Sequence, residues 1–406
     1  MNVPLHIKKN IKMGILQEIN LLTGKKVAIV GGGPGGLTLA KLLQQKGVNV
    51  QVYERDKSQF SRVQGAIVDL HFDSGLKAIN AVGLLEEFAA NYMPGADKYR
   101  LLDIKGNILL DDGHQKRTAD FDNEHFRPEI DRGKLRDILL AALLPDTVIW
   151  DSQFVNMYEV KSGWELHFKN GNIAFADIVI GSDGYRSLVR LILTDIKAIY
   201  SGATIIQGEI DQPQTECPEM FQLVNQANLM AMGAGSTIAV QPRGDGGLTF
   251  YAASMYPENW EKTNGIDFND AESVRNYLTD HFKEWNEVFF TLFKACQNFV
   301  LRPLNYFPME HKWSSRADLT LIGDAAHLMP PNGEGVNLAM LDALDLSECL
   351  TNATFNDLTT AITAYEKIMF ERSASLSHET VEGIMDFASP TDESIEEFIK
   401  MMSEDK

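Results

Sequence analysis

The chain has 406 residues, of which 44% are apolar and 23% charged, and a formal net charge of -19. Length and composition fit a globular protein of one to three domains. The excess of carboxylates repels nucleic-acid phosphates and anionic membranes, so neither is expected as a partner. Cys217, Cys296 and Cys349 are far apart and form no C-x-x-C. That suits free, buried thiols in a reducing cytoplasm better than a disulfide or zinc framework. No histidine pair has the spacing of H-E-x-x-H, so no metal is expected. No run of roughly 18 apolar residues is present to span a membrane. Residues 1–22 read as an N-terminal extension without the apolar core and cleavage site of a signal peptide.

Lys25 to Glu54 reads as strand, turn, helix, strand. Val27 to Val30 is a short apolar run, as in a parallel strand buried on both faces. Leu37, Ala40 and Leu43 recur at helical spacing, and Gly47 stops that helix. Val48 to Glu54 is β-branched and alternating, a second strand. Arg132 to Leu144 has a helical apolar face ended by Pro145. Thr147–Trp150, Phe154–Val160, Trp164–Phe168 and Asp177–Ile180 read as strands. From Ile199 to Met255 the pattern alternates over Thr204–Ile210, Phe221–Val224, Leu229–Met232, Thr237–Val240 and Leu248–Ser254, which predicts an antiparallel sheet. Ala271 to Phe293 reads as one helix, Leu319 to Ile322 as a buried strand, and Asn337 to Leu350 as a helix. The helical period continues from Leu358 towards Phe387, and acidic Thr391 to Lys406 reads as partly loose. The expected fold class is α/β: a discontinuous Rossmann-type nucleotide domain (23–90, 125–195 and 301–355) with an inserted antiparallel β-sheet substrate domain (91–124 and 196–300) and a C-terminal helix and tail (356–406).

Three motifs carry the chemistry. Gly31-x-Gly33-x-x-Gly36 follows a strand and opens a helix, with Pro34 and Gly35 inside it. Its glycines allow a tight turn, close backbone approach to a pyrophosphate, and close helix–strand packing. The helix N-terminus then faces the phosphates. Glu54 ends the next strand, where a carboxylate can accept from ribose hydroxyls. Asp183-Gly184 and Gly323-Asp324 each follow a further buried strand. An aspartate there sits where ligands of open α/β sheets bind, or else simply caps the next helix.

These stretches, in this order, resemble the class A flavoprotein monooxygenases of the p-hydroxybenzoate hydroxylase fold. Leu42-Leu43-Gln44-Gln45, Val52-Tyr53-Glu54-Arg55-Asp56, Pro128-Glu129-Ile130, Asp146-Thr147-Val148-Ile149-Trp150 and Ala325-Ala326-His327-Leu328-Met329-Pro330-Pro331 are similar to the tetracycline-inactivating branch. The resemblance implies FAD held by the glycine turn, Glu54, Arg55, Arg62, Asp69 and Arg132, with Asp183 and Gly184 serving both FAD and NAD(P)H. It implies Gly323 and Asp324 at the ribityl chain, and Pro331, Gly335, Val336 and Asn337 along the flavin ring. Gln207, Asn228, Thr249, Phe250, Asn332 and Gly333 would line the substrate site. His327 is either a packed or pyrophosphate-side histidine or a catalytic one. Phe221, Phe250 and Tyr251 are aromatics of either a ring pocket or the core.

The activity implied is hydroxylation of an aromatic or polyketide-like small molecule, tetracycline-like compounds included. NAD(P)H, with NADPH favoured, reduces the flavin, and O2 gives a flavin C4a-hydroperoxide. No catalytic side chain and no metal are then needed. A monomer or weak homodimer is expected. Two departures stand out. The segment Pro331-Asn332-Gly333-Glu334-Gly335 is one residue shorter than the usual P-x-x-G-x-G, with Glu334 where glutamine is common. Asn228 and Thr249 replace the arginine and histidine of the tetracycline-inactivating members. A reductase or halogenase of the same fold and a non-catalytic ligand-sequestering flavoprotein are the alternatives. No W-x-W-x-I-P halogenase pattern is present.

Overall fold

The computed structural model describes residues 20–61, 67–112 and 119–404. Arg62 and the extension up to residue 19 lie outside the described residues. Leu22, expected in that extension, is instead packed in the core.

The chain opens with β1 (Lys26–Val30), α1 (Pro34–Gln45) and β2 (Asn49–Tyr53). Pro34 starts α1 where an N–H would have no intrahelical acceptor. Then follow β3 (Ile67–Asp69), a π-helical turn (Phe72–Leu76), α2 (Lys77–Ala81), α3 (Leu85–Ala89), β4 (Tyr99–Leu102), β5 (Ile108–Asp111), β6 (Glu129–Asp131), α4 (Arg132–Ala141) and β7 (Val148–Ile149). An antiparallel meander of β8 (Phe154–Val160), β9 (Gly163–Phe168) and β10 (Ile173–Ala176) leads into β11 (Ile178–Gly181) and α5 (Arg190–Leu193). The middle of the chain holds β12 (Ile199–Ile210), α6 (Pro213–Glu216), α7 (Pro218–Val224), β13 (Asn228–Gly233), β14 (Ser236–Pro242), β15 (Leu248–Met255), α8 (Trp260–Thr263), α9 (Ala271–His281), α10 (Glu287–Ala295) and β16 (Phe299–Tyr306). The chain then returns through β17 (Leu319–Leu321), α11 (Asp324–His327) and α12 (Gly335–Thr351) to α13 (Leu358–Glu382), α14 (Ile384–Ala388) and α15 (Asp392–Glu404).

Two large sheets organise these elements. The parallel sheet has the order β17-β11-β1-β2-β7, and its central strands are almost wholly buried. The second sheet has the order β16-β12-β15-β14-β13-β4-β5. All its pairs are antiparallel except β13 with β4. One face of this sheet, through Leu229, Val240 and Phe250, packs on Phe282, Phe289 and Phe293 of the α9–α10 region. On the opposite face Ile205, Ala253 and Leu304 pack under Ile384 and Ala388 of α14. The chain is therefore a mixed α/β protein with separate parallel and antiparallel sheets and C-terminal helices. Among the described residues no helix is long and apolar enough to cross a membrane.

Four sequence expectations change. Phe221–Val224 is not a strand but the end of α7: Pro218 starts the helix, Met220 and Val224 bury the same face, and Asn225 stops it at φ 46. The single helix over Ala271–Phe293 is broken between His281 and Glu287, where the Asn286 side chain accepts from the Val288 amide at 3.0 Å and caps α10. The acidic tail is largely the helix α15, and Phe398 on it lies 5.8 Å, ring to ring, from Tyr99. The second sheet also continues to Tyr306 through β16, past the expected boundary at residue 300. Cys217, Cys296 and Cys349 are free and buried, as read from the sequence.

Phe293 is fully buried, 5.8 Å from Phe250 and 5.6 Å from Phe282, ring to ring. Phe293→Ala is expected to cost about 3–5 kcal/mol, read by equilibrium urea unfolding, because the cavity it leaves is walled by sheet and helix.

Candidate active site

The register of the parallel sheet builds the site. Val30 pairs with Gly181 and with Tyr53, and Gly181 pairs with Leu321. Three strands thus end in one row, and the turns after them carry Gly31, Asp183 and Asp324. Gly31 sits at φ +109, and a Cβ there would lie 2.2 Å from the Ser182 carbonyl oxygen. A Cβ on Gly36 would lie 2.2 Å from the Gly31 carbonyl oxygen. Only glycine lets these turns touch. A Cβ on Gly33, by contrast, would meet nothing within 4 Å, and no side chain caps the N-terminus of α1. The helix end is left open for an anion.

Glu54 is buried against this turn and accepts from the Gly32 amide at 2.7 Å and the Asp56 amide at 3.0 Å. Arg136, buried on α4, donates to Asp56 at 3.1 Å and to the Gly32 carbonyl at 3.3 Å, and lies 3.9 Å from Glu54. The sequence reading passed over Arg136. Its signal was a cation four residues after Arg132, inside the apolar stripe of Leu135 and Leu139. Arg55 is exposed beside this group.

The two strand-end aspartates differ. Asp183 accepts from Ser187 Oγ at 2.5 Å and from the Leu188 amide at 2.8 Å. It therefore anchors its own loop, in the manner of a cap, and leaves Gly184 half-buried at φ +77. Asp324 is exposed to solvent although protein surrounds it closely. Those surroundings push its carboxyl up, against the pull of His327 and Arg132. Gly335 is close by: a Cβ there would be 3.8 Å from Asp324 Oδ1.

His327 is buried with Nε2 2.6 Å from Asp342, which also accepts from the Gly323 amide at 2.8 Å and from Arg372 at 2.6 Å. Burial opposes charge in this group, but His327 and Arg372 hold the Asp342 carboxyl below its ordinary range. The network fixes the backbone that presents Asp324. Asn337 does similar work on the next loop. Its side chain accepts from the His71 amide at 2.9 Å and donates to the Asp69 carbonyl at 3.0 Å. Val336 is half-buried against the apolar cluster of α2 and α4, and Pro331, Asn332 and Gly333 are exposed. Asn332 donates to Thr380 of α13 at 2.9 Å.

Strand alternation sorts the substrate-side residues. Gln207 pairs with Tyr251, Thr249 with Glu209, and Met230 with Ala239, itself the partner of Tyr251. Gln207, Thr249 and Asn228 therefore share one face of the second sheet, and Phe250 is on the other. Phe250 is wholly buried in the helix-backed core, so its reading as a pocket residue gives way to the core one. Gln207 accepts from Arg302 and donates to Glu209 at 3.3 Å. Thr249 Oγ1 and Asn228 Oδ1 are buried without a hydrogen-bond partner. The Asn228 amide donates to the Ala96 carbonyl at 2.9 Å and to Glu129 at 3.1 Å. Burial and the nearby Asp69 push the Glu129 carboxyl up to about 8. Arg132 is exposed on α4, and its charge acts on both Asp324 and Tyr251. A cleft of about 620 Å³ opens beside it, between α4 and the Arg243–Asp245 turn. A second cleft of about 590 Å³ runs along β1 and β2, from Lys26 and Asn49 to Tyr53, beside Phe168 and β10.

Residues 25–129 and 169–361 match the family model described as FAD binding domain. The chain belongs to this family, the class A flavin monooxygenases. It is an FAD-dependent monooxygenase. Among similar proteins, "Monooxygenase asqM" of Emericella nidulans is 28% identical, over 86% of this chain and 92% of that protein. The solved structure of Klebsiella pneumoniae HpxO complexed with FAD and uric acid superposes with a TM-score of 0.73 at 20% identity, covering 94% of each chain. The tetracycline destructase Tet(51) superposes with a TM-score of 0.70 at 20% identity, covering 94% of this chain and 96% of that one.

The residues present suit FAD. The open space at Gly33 and the uncapped α1 would admit the pyrophosphate, Glu54 lies beside the same turn, and Asp324 follows a strand that ends in the same row. In the monooxygenase, Gly36→Ala should weaken FAD binding by about tenfold or more, or 1.4 kcal/mol, measured by fluorescence quenching on the apoprotein. Asp342→Asn should lower stability by about 3 kcal/mol, since it leaves His327 without its anion and Arg372 with Asp345 alone; thermal unfolding reads the loss.

Proposed function

We propose that this monooxygenase consumes NAD(P)H, with NADPH the favoured donor, to insert one oxygen atom of O2 into a flat aromatic or polyketide-like small molecule. Bound FAD supplies the redox and oxygen-activating chemistry. The protein's own part is to hold the ring, orient it and keep water out. The observation that carries this reading is the shared face of Gln207, Asn228 and Thr249, with the charge of Arg132 acting on both Asp324 and Tyr251 of that face. Similar proteins named as a urate hydroxylase and a 6-hydroxynicotinate 3-monooxygenase support a small ring compound as substrate.

This face carries two amides and a hydroxyl, together with Arg302 and Glu209, opposite charges that both bond Gln207. With those charges set against each other, the neutral handles select by donor–acceptor match rather than by charge. They favour an uncharged ring with carbonyl, hydroxyl or N–H groups. Tetracycline is the less favoured substrate, because Asn228 and Thr249 stand where that branch carries a cation and an imidazole.

The purified protein should be yellow, and a ring substrate should accelerate NAD(P)H oxidation and appear as a product carrying one atom from isotopically labelled O2. Tight ligand binding without turnover by any electron donor would instead favour a sequestering flavoprotein. Gln207→Leu should raise KM by about tenfold or more and leave FAD affinity unchanged, since it removes a buried polar handle; steady-state kinetics and an FAD titration separate the two.

A further inference from the structure

His71 joins the end of β3 to the loop before α12. It is half-buried, with 14% of its side chain exposed. Its Nε2 lies 2.7 Å from Asp69 Oδ2, and its Nδ1 lies 3.1 Å from Glu334 Oε1. A neutral imidazole has one N–H and can donate to one carboxylate only, so donating to both requires the doubly protonated ring.

The surroundings make this contact matter. Asn337 already ties the backbone at Asp69, His71 and Gly75 to the first turn of α12. Glu334 is the residue immediately before that helix, and its side chain does not cap it. The exposed stretch Pro331 to Gly333 is thus held at one end by Asn332 on Thr380 and at the other by Glu334 on His71. A Cβ on Gly333 would come within 3.7 Å of Asp69 Oδ1, so the loop lies against the Asp69 corner.

We propose that His71 is a positioning residue: its imidazolium clamps Asp69 to Glu334, fixes the 331–335 loop against β3, and makes the order of that loop, and with it FAD binding, depend on one proton. The inference rests on FAD as the cofactor and not on the identity of the substrate.

The charges facing His71 agree. Asp69 faces it from β3, and Glu334 from the loop. Glu129 on β6 is the register partner of Asp69, and Asp97 acts on Glu129. The first turn of α12 presents Asn337, which carries no charge. Burial alone would lower the imidazole, but hydrogen bonds and charge from Asp69 and Glu334 outweigh it and hold it at about 9. The folded value lies above the ordinary 6.5. The clamp is therefore fully present below about 6.5 and is lost as pH rises through about 9. Glu129 titrates in the same window, so the differences between variants carry the test.

The experiment titrates apoprotein with FAD from pH 7 to pH 10, comparing wild type with His71→Gln and Glu334→Gln. Wild-type affinity should fall about tenfold between pH 7 and pH 10, as binding that needs a proton with a pKa near 9 requires. His71→Gln should bind FAD more weakly at pH 7 and show a much flatter profile, which sets the baseline for every other group, the cofactor's ring included. Glu334→Gln removes one carboxylate and should move the midpoint to lower pH. Equal affinities and parallel profiles for all three proteins would overturn the proposal. Should His71→Gln fail to fold, the wild type and Glu334→Gln still decide: a shifted midpoint supports the clamp, and an unshifted one overturns it.

Discussion

The structure depends on the contact between two backbones at the ends of neighbouring parallel strands. Gly31 approaches Ser182 so closely that a methyl group would sit 2.2 Å from its carbonyl oxygen. β1, β11 and β17 can then end in one row, and their turns can form one continuous floor. Without it, Asp183 and Asp324 would be ordinary loop residues on separate strands. Hydrogen-bonded register, rather than side-chain packing, sets the spacing of these turns, which is why residues nearly 300 positions apart in the chain lie along one row of strand ends.

Around that floor, buried charges mostly hold backbone in place. Asp342 spends its carboxylate on Gly323, His327 and Arg372, and Asp183 spends its own on Ser187 and Leu188. Arg136 links Glu54 and Asp56 behind the glycine turn. Such arrangements suit an enzyme whose reactivity comes from a bound cofactor. The protein contributes rigid, oriented dipoles, and a side chain already occupied by a structural bond cannot drift into the reaction.

The second sheet joins this floor through polar contacts rather than a shared apolar core. Asn228 reaches Glu129, the register partner of Asp69, Asp69 reaches His71, and His71 reaches Glu334. The chain of contacts runs from the substrate-side face to the loop before α12. Its members come from β13, β6, β3 and a loop, four segments that no local pattern connects.

The sequence by itself determined the nucleotide half of this protein. The glycine spacing, the apolar runs at Val27–Val30, Ile178–Ile180 and Leu319–Leu321, and the turn residues behind each are local signals, because buried parallel strands and tight turns constrain composition directly. The alternating strands of the second sheet were legible for the same reason. Phe221–Val224 was misread because four residues cannot distinguish a period of 2 from 3.6, and Pro218 decides only once the helix it starts is seen. The tertiary structure alone decided the rest: that Phe250 faces helices while Thr249 and Tyr251 face the other way, that Arg136 stands behind Glu54, that His327 serves Asp342, and that His71 reaches Glu334. Each of these depends on which face of an element is covered and by what, and that follows from long-range register and packing, which a residue's neighbours in the chain do not encode.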